Sequence, residues 1–535
     1  MKQKQIKVQN IPLDYKVKKE SKAKGALIDY KIFIPFICIM STIVLVFSFF
    51  EKESFSILNS VFNTIVSSFS WGYIWYMVIL FAAAMYFSFS KYGKVVLGDP
   101  VEKPRFSMFE YASILISTGV GISIMRTGSI QWIDVALNPP AGVKPESTEA
   151  LLWGNSYSMF IWSPFIFTLF VTSAPAIAYI LHVKKSPYLR ISEACRSVLG
   201  NKITDGIGGI IIDVVFLVSI LSAAAVTLGF STPIITSSVA YIFNIEQSFG
   251  LSLVITIIWI LLFTLSAYLG IEKGIKKLST FNMYAAGAFA IFILVLGPGL
   301  FIINYFTESF SFIIKHYLDF AIPLHSMKSG NTSFMESNTI FWYAYTAIWG
   351  MLGSVFIAKV SKGRTIKEMI LTYLLGTTIV SWVTTGVLGG LGVNRFLTGE
   401  VPVTDIAKKD IMAVIPQILT SLPLPLLVVI AFIFIGSVFL ITTLDSTTYT
   451  LASYSSRKNM SQEDPPKSLR IILAIVLAIV TIVLMKIGGL EPLEVLSGVL
   501  GIPIIFVQFL TIYAAIKMMH KDKAWKYNIR NKENR

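Results

Sequence analysis

Apolar stretches of about 20 to 28 residues recur along the whole of this 535-residue chain, and nothing else in the sequence restricts its fold so severely. A helix of about 20 apolar residues crosses the hydrocarbon core of a bilayer, where every backbone N–H and C=O must find its partner inside the protein. The chain therefore reads as an all-α polytopic membrane protein. Its residue balance agrees: only 14% are charged and the mean hydropathy is +0.70, whereas a soluble domain carries about 25% charged residues.

The hydropathy pattern predicts twelve spans, near 32–50, 71–90, 108–136, 156–182, 204–233, 248–270, 281–306, 338–358, 366–393, 424–455, 468–488 and 493–519. Lysine and arginine orient them. On the N-terminal side of the membrane fall 36 of the 45 basic residues; eight lie on the other side and Arg126 lies within a span. Both termini are thus expected in the cytoplasm, in a multi-pass protein of the plasma (cytoplasmic) membrane. The net charge of +15 follows from that topology and the anionic headgroups it faces, so the lipid bilayer is the implied partner and nucleic acid is not. The chain divides into a basic tail (1–31), two peripheral spans (32–90), segments 108–306 and 338–519, a connector (307–337) and a short basic tail (520–535). The lysine-rich start lacks a small-residue cleavage site and is not a signal peptide. In the connector region, "FTESFSFIIKHYLDFAIP" (306–323) has the spacing of an amphipathic helix lying along the outer surface. The basic segment "SPYLRISEACRSVLG" (186–200) is expected to do the same on the inside.

Several functions are disfavoured at once. Cys38 and Cys195 are too few for a metal cage or a disulfide framework, and His182, His316, His325 and His520 are scattered, so no cofactor and no enzyme activity is expected. A conduction pore would carry a continuous polar stripe, but only isolated charges interrupt these spans. A sensor derived from a transporter would usually carry an appended signalling domain, and the final tail has about 15 residues.

The third span, "STGVGISIMRTGSIQW" (117–132), carries two liabilities. An arginine at mid-membrane costs roughly 2.5 kcal/mol or more, and Gly119 and Gly121 weaken the helix that bears it. The eighth span carries "AIWGMLGS", with Gly350 and Gly353. Secondary transporters place discontinuous helices at corresponding positions of an inverted repeat and hold the substrate near the midplane. Spans three and eight are five apart, as a five-plus-five repeat requires. Glycines also let helices pack closely, but the matched pair together with Arg126 favours two breaks. Buried membrane charges pair with one another or line a water-filled path. Asp213, in "IIIDVVFLVSI" on the fifth span, is the expected partner of Arg126 beside a central cavity. Protonation of Asp213 would then release Arg126 and favour H⁺ coupling or exchange over Na⁺ symport. A structural salt bridge, or an arginine reaching the outer vestibule, is the alternative.

The stretch "NTIFWYAYTAIWGMLGSVFIAKVSKGRTIKE" (338–368) resembles the signature of the betaine/choline/carnitine transporter family, an aromatic eighth helix followed by a basic loop, here "AKVSKGRT" (358–365). "GIEKGIKKLSTFNM" (270–283), "VLGPG" (295–299), "STGVGISIM" (117–125) and "ITTLDS" (441–446) fall in the same order, and the resemblance covers roughly residues 30 to 520. It implies a leucine-transporter-like fold with an inverted repeat of spans 3–7 and 8–12 behind two peripheral helices. It implies transport of a zwitterionic or cationic trimethylammonium osmolyte, coupled to Na⁺ or H⁺ or run as exchange, often in a homotrimer. A quaternary ammonium donates no hydrogen bond and is recognised by ring faces. The resemblance offers Trp162, Phe167 and Phe170 on the fourth span, and on the eighth Tyr345 and Trp349, which share i, i+4, i+8 spacing with Phe341. The family's tryptophan cluster appears here as Asn338, Tyr343, Tyr345 and Thr346, with Trp349 kept, so Thr346 stands where a ring would cap the ammonium. The family's acidic residue and proline after the third-span glycines are missing, and the chain reads "RTGSIQW" there; Ser123 and Arg126 on this span are expected at the substrate. An amino-acid-like or other carboxylate solute is therefore a second candidate substrate. Thr442 and Thr443 match positions whose hydroxyls contribute to a sodium site beside the broken third helix.

Overall fold

The computed structural model of the protein describes residues 28–529, apart from 120, 141, 187, 270–275, 324–333, 457–464 and 489–490. Most of the N-terminal tail, the end of the C-terminal tail and part of the connector lie outside the described residues.

Helix α1 (Tyr30–Phe49) starts at Asp29, whose Oδ1 accepts from the Lys31 amide at 3.1 Å. Helix α2 (Glu51–Phe89) bends at Phe69, where φ −124° and ψ 18° leave the helical region. The third span is two helices, α3 (Met108–Gly119) and α4 (Gly121–Leu137), meeting at 67°. The fourth is built from α5 (Thr148–Phe160), α6 (Pro164–Val171), α7 (Ala174–Ala178) and a π-helical turn over Tyr179–Val183. Proline sets these cuts: Pro164 and Pro175 each stand in the first turn of a new helix, the one place where a missing N–H breaks no helical bond. Short helices α8 (Ile191–Ala194) and α9 (Arg196–Thr204) precede α10 (Ile207–Phe243) and α11 (Phe249–Leu269). Then come α12 (Lys276–Leu296), α13 (Gly299–Ala321), α14 (Phe334–Val360) and α15 (Ile366–Leu397). A capping box starts α15, with Thr365 and Glu368 each bonding the other's amide, at 3.1 and 2.9 Å. Helices α16 (Val403–Ala407), α17 (Val414–Thr420), α18 (Pro425–Tyr454), α19 (Lys467–Gly488), α20 (Glu491–Lys521) and α21 (Ala524–Tyr527) complete the chain. Among the described residues ten helices are long and apolar enough to cross a membrane, and the bent α3–α4 pair makes eleven. Helix α19 stands where the remaining expected span falls.

Three expectations need correction. The seventh span ends at Leu296 and not near 306, because Pro298 has no N–H to continue the ladder; Gly297 N closes α12 on Ile293 O at 2.8 Å and α13 starts afresh. The amphipathic stretch 306–323 is therefore the later part of a 23-residue helix. Residues 191–195 do not lie along the inner surface: all five are buried, packed beneath α10 and α20. Finally, α14 runs unbroken past Gly350 and Gly353. A Cβ at Gly350 would stand 2.7 Å from the Leu169 carbonyl oxygen, and one at Gly353 would stand 2.9 Å from the Phe170 side chain. These two glycines let the fourth span approach α14 closely instead of interrupting it.

The five-plus-five repeat rests on packing. Exchanging spans 3–7 with spans 8–12 turns several main contacts into others that exist. The pair α4–α15 becomes α14 with α6 and α7; α10–α19 becomes α18–α11; α12–α3 becomes α20–α14; α12–α18 becomes α20–α10. An offset of five reverses each helix's direction, so the repeat is inverted. Its centre is formed by spans four and eight, 94% of whose apolar windows are enclosed by the rest of the chain, against 17% for α12 and 22% for α1.

Candidate central binding site

At the α3–α4 bend the helices leave room for α18. A Cβ on Gly121 would stand 2.9 Å from Thr443 Oγ1 and 3.4 Å from the Phe439 carbonyl oxygen, so only glycine permits this approach without displacement. The Thr443 hydroxyl lies within 3.0 Å of the Ser117 carbonyl on α3 and 2.9 Å of the Phe439 carbonyl on its own helix. Among the described residues it is the group of α18 that bonds across to the break. Thr442 bonds only backward along its helix, to Val438 O at 3.0 Å and Phe439 O at 2.9 Å, the habit of a helical hydroxyl.

Beyond the bend, Ser123, Arg126 and Thr127 share one face of α4 and line a small cavity together with Gly121 and Ile122. The opposite wall is α14, where Trp342, Tyr345, Thr346 and Trp349 follow i, i+3, i+4, i+7 spacing. All four are nearly closed off from solvent, at 7% exposure or less. Trp162 and Phe170 of the fourth span and Thr227 and Phe230 of α10 complete the wall, with Thr443 at the bend.

The rings form a connected set. Trp162 and Trp342 meet edge to face at 5.9 Å and Trp342 and Tyr345 at 5.6 Å, while Tyr345 and Phe230 lie tilted at 5.9 Å. Trp162 Nε1 donates to Thr127 Oγ1 at 2.6 Å, which fixes the indole against α4. The Arg126 guanidinium carbon sits over the Phe230 ring, 4.5 Å from its centroid. Such contacts are each worth about 0.5–2 kcal/mol, so Phe230 holds the arginine head at the cavity.

Of the residues singled out in the sequence, Trp162, Phe170, Tyr345, Thr346, Trp349, Ser123, Arg126, Gly121 and Thr443 converge on this cavity. Phe167 stands behind the wall, 6.0 Å from both Trp162 and Tyr373. Gly119 ends α3. Thr442, Gly350 and Gly353 are not part of the wall. Trp342, Thr227 and Phe230 escaped the sequence reading.

The pairing of Arg126 with Asp213 is overturned. Asp213 is buried near the start of α10, where Ser192 donates to it through both its amide (3.1 Å) and its hydroxyl (2.7 Å), and the Tyr454 hydroxyl donates as well. Arg126 packs on Phe230, seventeen residues further along the same helix, which is roughly 25 Å at 1.5 Å per residue. Asp213 therefore does not meet Arg126, and the scheme in which its protonation releases Arg126 falls. It serves instead to clamp α8 and the end of α18 onto α10.

Residues 31–524 match the sequence model of a family described as BCCT, betaine/carnitine/choline family transporter. Among solved structures the chain is similar to a Na⁺-coupled sialic acid symporter in its substrate-bound, outward-open state, with a TM-score of 0.46 and 12% identity over 83% of this chain and 86% of that one.

Proposed function

The chain belongs to the betaine/carnitine/choline transporter family, a family of secondary transporters, and from that premise we propose that it takes up a betaine-, choline- or carnitine-like osmolyte by alternating access. The observation that carries this reading is the convergence of Trp162, Trp342, Tyr345 and Trp349 on one cavity beside the broken third span. A quaternary ammonium has no N–H, so several ring faces are the way to hold it. The site lies between the two halves of an inverted repeat, where rocking of one half against the other exposes it to each side in turn. Uptake into the cell rests on the lysine and arginine asymmetry, which supports cytoplasmic termini in the plasma membrane.

Sodium is the coupling ion this arrangement favours. A sodium ion needs several oxygens, and a broken helix supplies carbonyls no longer held in its ladder. The Ser117 carbonyl and the Thr443 hydroxyl, 3.0 Å apart, are the two oxygens this chain brings together at the break. The arginine in the wall favours a second substrate class, a carboxylate-bearing solute.

The test is uptake of labelled betaine, choline, carnitine and a panel of amino acids into proteoliposomes, with and without Na⁺ and with and without a pH gradient. Concentrative, Na⁺-dependent uptake of a trimethylammonium solute is expected. Flux of inorganic ions alone would refute a transporter.

A further inference from the structure

Of the rings in the cavity wall among the described residues, Trp162 is the one that stands between helices. Helix α5 ends at Phe160 and α6 begins at Pro164, so the indole is carried on the linker 161–163. Pro164 imposes extended backbone on the residue before it, and Ser163 stands at φ −91° and ψ 168°. Trp342, Tyr345 and Trp349, by contrast, ride on one unbroken helix, α14. What fixes Trp162 comes from another span: its Nε1 donates to Thr127 Oγ1 of α4 at 2.6 Å. Resting on the reading that this cavity is the transport site, we propose that Thr127 is a positioning residue. It holds the Trp162 ring in the solute wall and makes that ring follow α4, the second half of the broken third span.

The chemistry of the contact is directional. An indole N–H is a donor only, and a buried donor without an acceptor is costly. Both partners are almost closed off from solvent, Trp162 at 4% exposure and Thr127 at 1%. The Thr127 hydroxyl sends its own hydrogen back to the Ser123 carbonyl at 3.0 Å, which leaves its oxygen as the acceptor for the indole. The ring's other neighbours are Phe167, tilted at 6.0 Å, and Trp342, edge to face at 5.9 Å. Those contacts fill space, but a hydrogen bond that prefers a near-linear angle sets the rotation of the ring. A turned Trp162 would also withdraw its support from Trp342.

The anchor ties recognition to the break. Helix α4 starts where it meets α3 at 67°, with Gly121 packed close to Thr443. The segments of a broken span shape the site that alternating access exposes. A ring hung from α4 enters or leaves the wall as α4 moves, whereas the rings of α14 stay with their own helix. Thr127 also lines the cavity, so its hydroxyl has a second possible use, a direct contact with solute. The two uses separate cleanly: a hydroxyl that acts through Trp162 does nothing once the indole N–H is gone.

The test uses the full chain with Thr127→Val, which keeps the shape and removes the acceptor, and Trp162→Phe, which keeps a ring and removes the N–H. Thr127→Ser and the double variant complete the set. Without solute, ultraviolet resonance Raman difference spectra against Trp162→Phe backgrounds isolate this one indole. Its N–H band should report a strong bond in the wild type, a broken one in Thr127→Val and a restored one in Thr127→Ser. A band unmoved by Thr127→Val overturns the anchor. In proteoliposomes, uptake of labelled glycine betaine, choline and carnitine is read as KM and maximal rate. For a solute that is taken up, Thr127→Val should raise KM about tenfold, the order of one lost buried hydrogen bond, with the maximal rate little changed. Thr127→Ser should bring KM back, Trp162→Phe should match Thr127→Val, and the double variant should be no worse than either. Multiplied losses in the double variant overturn the positioning role, because Thr127 would then act on solute by itself. Unchanged KM in Trp162→Phe overturns it too, and needs no folded Thr127→Val. Both of these results leave the transporter reading standing. Uptake of none of the three solutes refutes the trimethylammonium reading instead, and the Raman band then decides the anchor alone.

Discussion

Thr442 and Thr443 are adjacent, chemically identical and equally buried, yet only one of them is expected to govern ion coupling. The perturbation is alanine at each. Thr443→Ala removes the hydroxyl that lies 3.0 Å from the Ser117 carbonyl, and with it the side-chain oxygen α18 presents at the broken helix. Leaving a buried polar partner short of its bond costs about 1–3 kcal/mol, which corresponds to about a 5- to 150-fold change in affinity. The Na⁺ concentration for half-maximal uptake should therefore rise about tenfold or more in Thr443→Ala, with Thr443→Ser close to wild type. Thr442→Ala removes a hydroxyl that bonds only to the Val438 and Phe439 carbonyls of its own helix, a contact of little net worth. That variant should stay within about threefold of wild type. The assay is initial solute uptake against external Na⁺ at fixed solute, in proteoliposomes with matched protein content. Equal shifts in the two variants would refute the reasoning, because they would show that the hydroxyl reaching the break has no special part. No shift in either would remove the sodium site from α18.

Trp349→Ala and Trp162→Ala are each expected to cut uptake at least about tenfold at low solute, since each removes a ring face worth about 0.5–2 kcal/mol along with cavity shape; Phe167→Leu, behind the wall, should change solute affinity much less. Gly350→Ala drives a methyl group to within 2.7 Å of a backbone carbonyl oxygen that cannot swing away, so it should destabilise the protein by about 1–3 kcal/mol, read as a lower melting temperature in detergent. Arg126→Ala combined with Asp213→Asn should give additive losses, with a coupling energy below about 0.5 kcal/mol in a double-mutant cycle; a large coupling would contradict their separation. Burial, and secondarily the Asp213 carboxylate, push the Cys195 thiol up to about 12, so in a Cys38→Ala background alkylation of the folded protein should be very slow at pH 8 and become fast on unfolding. Because the raised value leaves the thiol protonated well above neutrality, its labelling should keep rising by about tenfold per pH unit between pH 8 and 10, where an unfolded chain with an ordinary thiol levels off.

The spans were legible because the bilayer sets their length and excludes any other backbone pairing, so composition alone carries the message. The ring wall was legible in part. On the eighth span Trp342, Tyr345, Thr346 and Trp349, the set the cavity uses, fall on an arc of about 100°, and Phe341 of the stripe Phe341–Tyr345–Trp349 lies about 40° outside it, beyond Tyr345. Phe341 instead stacks on Tyr345 at 5.8 Å and meets Phe62 edge to face at 6.0 Å. Thr227 and Phe230 gave no signal, because a threonine and a phenylalanine in an apolar span look alike whether they face lipid or a cavity.

The misplaced pair shows what charge reading lacks. The sequence shows that Arg126 and Asp213 are both within apolar segments, but not how deep each one sits. With the fifth span at 204–233, Asp213 stood within reach of mid-membrane. The helix in fact runs from Ile207 to Phe243, which moves its middle toward Phe230 and leaves Asp213 near one end, where Ser192 folds back to meet it. The glycine argument failed in a comparable way and yet led to the right architecture. Two glycine pairs five spans apart suggested two broken helices and hence a repeat; α14 is unbroken, and its glycines serve close packing. The repeat survives because it is carried by which helices touch, and several of those contacts map onto one another under exchange of the halves. With α14 unbroken, the site is asymmetric, with an arginine on the α4 side and an intact aromatic face on α14. That asymmetry suits a substrate whose two ends differ in charge.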